Sequence, residues 1–239
     1  MKKNSLTPFE EAFLDFHNGN NNAEVIVHCN KGDDEPVALK YFFRRFDEMP
    51  LLEQKALEQC RGKVLDIGAG SGCHSVVLND RGMDITALDI LEGFTSIMRK
   101  RGLPKVINSD IMDYSEEKFD TLLMLMNGIG FTKDFSGLEK FLHHAHKLLN
   151  TYGQIILDSS DLLYLYQQED GSVMIDLHEA YYGEVVYTVE YGNKSGKPFK
   201  WLFVDFSSLQ EIADKCGFQA ELLYEDEHFN YLARLTISR

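Results

Sequence analysis

Between residues 62 and 160, short apolar runs alternate with longer amphipathic ones, and this alternation limits the fold more than any other feature of the chain. "KVLDIG" (63–68) has the length and apolar density of a strand. Residues 72–82 read as a helix with Cys73, Val76 and Val77 on one face and Gly82 as its stop. The series continues with strand 84–90, helix 92–102, strand 105–110 and strand 119–127, "FDTLLMLMN", which is apolar enough to be buried on both faces. Helix 136–149 and strand 154–160 complete it. Strands joined by crossing helices run parallel with right-handed crossovers, so helices cover both faces of one sheet. An α/β fold with a doubly wound sheet is expected.

The rhythm changes at both ends. "GEVVYTVEY" and "KPFKWLFVDF" flank "GNKSG" (192–196) and predict a β-hairpin, inserted within about 161–206 on the substrate side. Helix 207–216 and strands 218–224 and 229–237 follow; only "EDEH" joins the last two strands, so they must be antiparallel. At the other end, "TPFE" (7–10) is a capping box with Pro8 at the first helical position. A strand "AEVIVH" and helices starting near Pro36 and Pro50 are expected next. Residues 1–60 are too few for a core of their own, so they are expected to form an arm or lid packed on a main domain of residues 61–239.

Composition excludes several classes. With 44% hydrophobic and 12% aromatic residues, the 239-residue chain is globular. A net charge of −14 opposes nucleic acid and anionic membranes, and the basic stretches "FFRR" (42–45) and "RKRG" (99–102) read as solvated helix ends. No apolar run approaches a membrane span, and "MKKNSLTPFEEAF" lacks the apolar core of a secretory leader. Cys29, Cys60, Cys73 and Cys216 form no CxxC pair, as expected of reduced thiols in a cytoplasmic protein. Oligomeric state is not legible in the sequence.

"VLDIGAGSGCHSV" (64–76) is a strand, a glycine turn and a helix start, which together aim several backbone N–H groups at one ligand. The dinucleotide fingerprint GxGxxG is not met: Gly68 and Gly70 fit, the third position falls on Cys73, and the extra glycine is Gly72. Asp66 sits in the strand just before the turn, where a carboxylate needs hydrogen-bond donors or a cation. It also repels a pyrophosphate, so a cationic ligand without phosphate is favoured.

At these residues the chain resembles the class I S-adenosylmethionine-dependent methyltransferases. "VLDIGAGSG" is similar to their first motif, with Asp66, Gly68, Ala69, Gly70 and Gly72 at the cofactor. The resemblance implies that Asp89, followed by Ile90, accepts hydrogen bonds from both ribose hydroxyls. In "NSDIMD" (108–113), Asp110 would accept from the adenine amine while Ile111 or Met112 packs on the ring. "FDTLLMLMNGIG" is similar to the fourth motif and adds Met126 to the cofactor set. "LLNTYGQIILD" matches a helix–loop–strand motif, although Thr151-Tyr152 replaces its usual Pro-Gly. The resemblance covers about residues 60–160 and implies a Rossmann-like sheet of seven strands, mostly parallel, ending in the antiparallel pair. Singly, Asp89 also suits the ribose of NAD, and Asp110 a helix cap. Three acids at three successive strand ends share the carboxyl edge of the sheet, where open α/β folds bind ligands, which disfavours an oxidoreductase.

The implied reaction is an in-line displacement at a methyl carbon with a neutral thioether leaving. Most of the catalysis is then alignment, worth up to ~7–11 kcal/mol, together with exclusion of water, which gives a lid a purpose. Arg44 or Arg45 could meet the cofactor carboxylate, although a surface position is the ordinary reading of each. The acceptor side would draw on Asn127, Phe131, Asp158, Ser159, Ser160 and Asp161, with Tyr181, Tyr182 and Trp201 from the insertion. No catalytic residue is assigned; Asn127 and Asp158 are the candidates, as amine-orienting group and general base. His143 and His146 share a helix face but lack a third ligand, so no metal is expected, and His28, His178 and His228 carry no signal. The Asn-Pro-Pro-aromatic segment of base-amine methylation and a Pro-Cys pair are both missing. A small-molecule acceptor is expected. A protein substrate, or a protein that binds the cofactor without catalysis, are the alternatives.

Overall fold

Seven strands form the central sheet of the computed structural model, which describes residues 6–168, 170, 172–175 and 180–238. Five come from the βα series: β3 (Lys63–Ile67), β4 (Asp84–Asp89), β5 (Val106–Asn108), β6 (Phe119–Met124) and β7 (Leu149–Ser160). The other two are β11 (Phe218–Glu225) and β12 (Asn230–Ile237), and the order across the sheet is β11-β12-β7-β6-β3-β4-β5. Pairs β4–β5 and β6–β7 are parallel, whereas β12 is antiparallel to both β7 and β11. The α/β, mostly parallel sheet with a C-terminal antiparallel pair is therefore as expected. Chain order reverses at β3, with β4 and β5 to one side and β6 and β7 to the other. Open α/β sheets bind ligands at such a switch point, beyond the carboxyl ends of the strands.

The helices of the series are α3 (Cys73–Asp80), α4 (Glu92–Lys100) and α5 (Phe135–Leu148), with α6 (Phe206–Lys215) before β11. The buried residues of α3 are Cys73, His74, Ser75 and Leu78, while Val76 and Val77 are only half-buried, unlike the expected Cys73–Val76–Val77 face. Its first turn is enclosed because it continues directly from the glycine loop.

A second sheet was not legible in the sequence. The flanking segments supply β1 (Glu24–Cys29), β2 (Glu35–Ala38), β8 (Glu184–Tyr191), β9 (Lys194–Ser195) and β10 (Phe199–Leu202), ordered β10-β8-β1-β2 with β9 also on β8. The inserted hairpin thus pairs with a strand from the N-terminal segment, Ile26 facing Glu190 and Cys29 facing Tyr187. Pro36 corrects an expectation: it lies in strand β2, not at a helix start, and a 3-10 turn, Leu39–Phe43, comes next. Among the described residues β2 pairs with β1 alone and is an edge strand, where a residue without an N–H is tolerated. Helix α1 (Pro8–His17) has the expected capping box from Thr7 and Glu10, and α2 (Leu51–Gln59) begins after Pro50.

Contacts group the chain into two units. The first comprises Met1–Met49, Asp66–Asp113 and Val186–Phe199; the second comprises Pro50–Leu65, Tyr114–Val185 and Lys200–Arg239. Within the first, Phe13, Val25, Leu39, Phe94 and Ile97 form a buried cluster against which Phe9, Phe16, Phe42 and Phe43 pack. The second is built on the apolar centres of β6, β7 and β12, where Leu122, Leu123, Ile155, Ile156, Leu232 and Leu235 are fully buried.

Candidate active site

In the first unit the chain leaves β3 through three left-handed glycines, Gly68 (φ +71°), Gly70 (φ +56°) and Gly72 (φ +78°). A side chain is costly at each, but the space around them differs. A Cβ on Gly68 or Gly70 would meet nothing within 4 Å, whereas on Gly72 it would lie 2.9 Å from Leu103 and Met98. The first two glycines leave an open backbone face, and the third lets the loop pack tightly. The amides of Gly68 and Ala69 both donate to the Leu88 carbonyl, at 2.9 and 3.0 Å, which ties the loop to the end of β4.

Asp89 lies at that end. One carboxylate oxygen accepts from the Gly70 amide and the other from the Leu91 amide, each at 2.9 Å. Burial pushes its pKa up to about 6; the two amides oppose the rise, and the negative charges of Asp66 and Glu10 add to it. Asp66 is buried and turned toward α3, accepting from the Ser75 hydroxyl at 2.6 Å and from the Ser75 amide. Its carboxylate therefore faces the N-terminal turn of a helix, where negative charge is favoured. Burial nevertheless raises its pKa, against the lowering influence of His74 and Ser75.

Beyond the next strand, Asp110 is exposed and accepts from the Met112 amide at 2.9 Å. Ile111 is buried, and Met112 is the exposed member of the pair. Ile90, at 61% exposure, is a second large apolar side chain open to solvent. Asn108 donates to the Asp89 and Ile90 carbonyls at 3.0 Å each. Ser71, inside the glycine turn, has no sequence signal of its own for its role. This buried residue donates to the Phe42 carbonyl, and Arg101 donates to the Ser71 carbonyl at 2.8 Å. Arg44 is also corrected: it is buried, with its guanidinium carbon 3.5 Å from the centre of the Tyr41 ring, while Arg45 is the exposed one and pairs with Asp47.

In the second unit, the turn after β6 contains two left-handed residues, Met126 (φ +59°) and Asn127 (φ +53°). Their amides donate to the two oxygens of Asp158 at 3.1 and 2.7 Å. The Asn127 side chain donates to the Leu202 carbonyl at 3.1 Å and accepts from Ser159 at 2.7 Å. Trp201 donates to the Asn127 carbonyl at 3.1 Å, and a Cβ on Gly130 would lie 2.1 Å from its indole nitrogen. Both proposed catalytic groups thus hold the strained turn together. Tyr181 donates to Asp205 at 2.6 Å, Tyr182 donates to Asp161 at 2.8 Å, and the two tyrosine rings lie 4.4 Å apart. Phe131 packs edge-on against Phe141, and Ser160 bonds to Asn230.

The histidines of α5 serve separate partners. His144 bonds to the Tyr114 carbonyl and His146 to that of Cys216, each at 2.8 Å, while His143 lies 3.9 Å from the Cys216 sulfur. Among the described residues, no group of three or more His, Cys, Asp or Glu could hold a metal ion. His178 lies outside the described residues.

The Methyltransferase domain family matches residues 64–153. The crystal structure of a SAM-dependent methyltransferase from Bacteroides fragilis in complex with S-adenosyl-L-homocysteine is similar with a TM-score of 0.90 and 37% identity. The match covers 98% of this chain and 95% of that one. The CcbJ methyltransferase from Streptomyces caelestis has a TM-score of 0.60 at 14% identity, covering 83% of this chain and 98% of its own, and shows likeness of fold alone. Glycine/sarcosine N-methyltransferase from Aphanothece halophytica is 30% identical over 106 residues, covering 40% of this chain. This chain spans only 39% of that relative's length.

Proposed function

We infer the function of this chain from its family: it belongs to the class I S-adenosylmethionine-dependent methyltransferases. Its cofactor is S-adenosylmethionine, whose sulfonium supplies an electrophilic methyl group to a nucleophile and leaves as a neutral thioether. The residues present fit that group. Gly68 and Gly70 offer open backbone, Asp89 is a buried acceptor beside it, and Ile90 and Met112 are exposed apolar side chains near Asp89 and Asp110 in the chain.

The buried Asp89 carboxylate, bonded to the glycine loop on one side and to the start of α4 on the other, carries the site assignment. It would accept the ribose hydroxyls, with Ile90 and Met112 against the adenine and Ile111 packed beneath as support. Asp110 would accept from the adenine amine. The backbone of Gly68, Ala69 and Gly70 would lie along the amino-acid end of the cofactor, and Arg44 would meet its carboxylate. Asp66 acts through the loop by fixing the first turn of α3, and Gly72 by letting the loop pack. Met126 belongs to the turn that Asp158 holds. Asn127 and Asp158 position that turn, and alignment and exclusion of water supply most of the catalysis.

The acceptor in this reading is a small molecule. A net charge of −14 supports it by opposing polyanionic substrates, and one relative, by name, methylates glycine and sarcosine. No helix among the described residues is long and apolar enough to cross a membrane. Two measurements test the reading. Titration calorimetry should show S-adenosylhomocysteine binding with NAD and NADP silent. Release of S-adenosylhomocysteine from S-adenosylmethionine should then depend on a member of a panel of small amines, acids and thiols. NAD binding without any response to the sulfur nucleosides would overturn the site assignment. Turnover only on protein substrates would overturn the acceptor class.

A further inference from the structure

Helix α4 is preceded at its N-cap position by Leu91, which provides no side-chain cap. The first four N–H groups of a helix have no partner inside it, and the buried Gly93 amide is one of them. Its acceptor comes from another helix: Glu10 of α1 takes this N–H on one carboxylate oxygen at 2.9 Å. The other oxygen accepts from the Thr7 amide and the Thr7 hydroxyl, both at 2.9 Å, closing the capping box of α1. Glu10 is itself buried, so one carboxylate joins the N-termini of two helices out of solvent. Gly93 permits this approach, since a Cβ there would sit 3.0 Å from the Cβ and Cγ of Glu10.

The turn held in this way is the one that carries Asp89. Within Asp89–Gly93, Asp89 bonds the Leu91 amide at 2.9 Å and Glu10 bonds the Gly93 amide at the same distance. Rings from α1 support the same helix, with Phe13 and Phe9 packed 4.5 and 5.6 Å from Phe94. The geometry points to Glu10 as a positioning residue for cofactor binding, acting from the N-terminal helix through the turn between β4 and α4 to set the Asp89 carboxylate. The inference rests on the reading of Asp89 as the ribose acceptor. It also places Glu10 close enough for its charge to be felt. Asp89 is faced by the Gly70 and Leu91 amides and by the charges of Asp66 from β3 and Glu10 from α1, and Glu10 raises its pKa.

The test is S-adenosylhomocysteine affinity of the full-length chain between pH 5 and 8, by calorimetry. Glu10→Ala removes both hydrogen-bonded links and should weaken binding ~10-fold at pH 8, at about 1.4 kcal/mol per tenfold. Glu10→Gln keeps a carbonyl for Gly93 and should stay within ~3-fold at pH 8. Having lost the charge, it should also retain affinity to lower pH than the parent, which a purely structural role would not produce. Glu11→Gln, next along the helix and paired with Lys194, removes an equal charge from the surface and should change neither quantity. Parent-like affinity in folded Glu10→Ala overturns the inference, and so does an unshifted pH profile in Glu10→Gln, whether or not Glu10→Ala folds. Asp89→Ala separates the two readings. If it binds as tightly as the parent, the ribose assignment fails; if it alone is impaired, only the role of Glu10 fails.

Discussion

A carboxyl group as enclosed as Asp89 ionises reluctantly, and its pKa of about 6 marks the balance between burial and the two amides that reach it. The folded value lies above the ordinary one. The protonated group therefore favours the fold at low pH, and that contribution is lost as pH rises through about 6. At neutral pH the ionised group costs the cofactor-free protein on the order of 3 kcal/mol. Ribose hydroxyls donating to the carboxylate would offset this. Cofactor binding should then release a proton near pH 6, and affinity should fall several-fold from pH 7 to pH 5; calorimetry in buffers of different ionisation enthalpy reads both effects. Asp89→Ala should lower affinity ~10-fold or more while leaving the protein folded, because hydrogen bonds to a charged acceptor are worth about 1.5–3 kcal/mol each. Equal affinity at pH 5 and 7 would mean that the carboxylate does not meet the ligand.

Elements meet in this protein at turns that only particular residues permit. The turn after β6 combines the left-handed Met126 and Asn127 with Gly130, over which the Trp201 indole lies. An alanine at Gly130 would need the space of the indole nitrogen, 2.1 Å away, so Trp201 must move and give up its bond to the Asn127 carbonyl. Trp201 is the single tryptophan of the chain, which makes the displacement directly visible. Gly130→Ala should red-shift the intrinsic emission and destabilise the protein by ~1–3 kcal/mol, as overpacking does. An unchanged spectrum would contradict this account of the turn. Asp158→Ala strips the acceptor from two amides at once and should cost ~2–4 kcal/mol in thermal or denaturant unfolding. Asp158→Asn should lose less, since its carbonyl still accepts one of them.

At the scale of the whole molecule, the N-terminal segment is bound into the unit that carries the cofactor motifs. Its strand β1 pairs with β8, its helix α1 packs on α4, and Ser71 of the glycine loop donates to the Phe42 carbonyl. We propose that this segment works as a lid whose order is linked to the cofactor. Local stability follows burial and hydrogen bonding. Hydrogen exchange should therefore slow on adding S-adenosylhomocysteine in residues 36–50 as well as around Gly68–Gly72, Asp89 and Asp110. A response confined to the glycine loop would leave the segment docked regardless of ligand and remove its part in closure.

The βα alternation, the three acids at strand ends and the GxGxG turn determined the sheet and the cofactor class. Each of these is a local signal: strand period, helix length and glycine spacing are written within a few turns of chain. The second sheet was different, because β1 and β8 lie about 160 residues apart and neither carries a mark that names its partner. Pro36 read as a helix start because the edge position that tolerates it in a strand exists only once β1 is beside it. Burial of Arg44 and the bond from Glu10 to Gly93 likewise depend on how the segments come together in space. Asn127 and Asp158 were expected at strand ends; β6 stops at Met124, three residues before Asn127, and Asp158 lies within β7. Only the tertiary structure shows that their polar atoms hold the backbone. Local pattern decides which element a residue joins, whereas the partner of a buried polar group is decided by what the fold brings within about 3 Å of it.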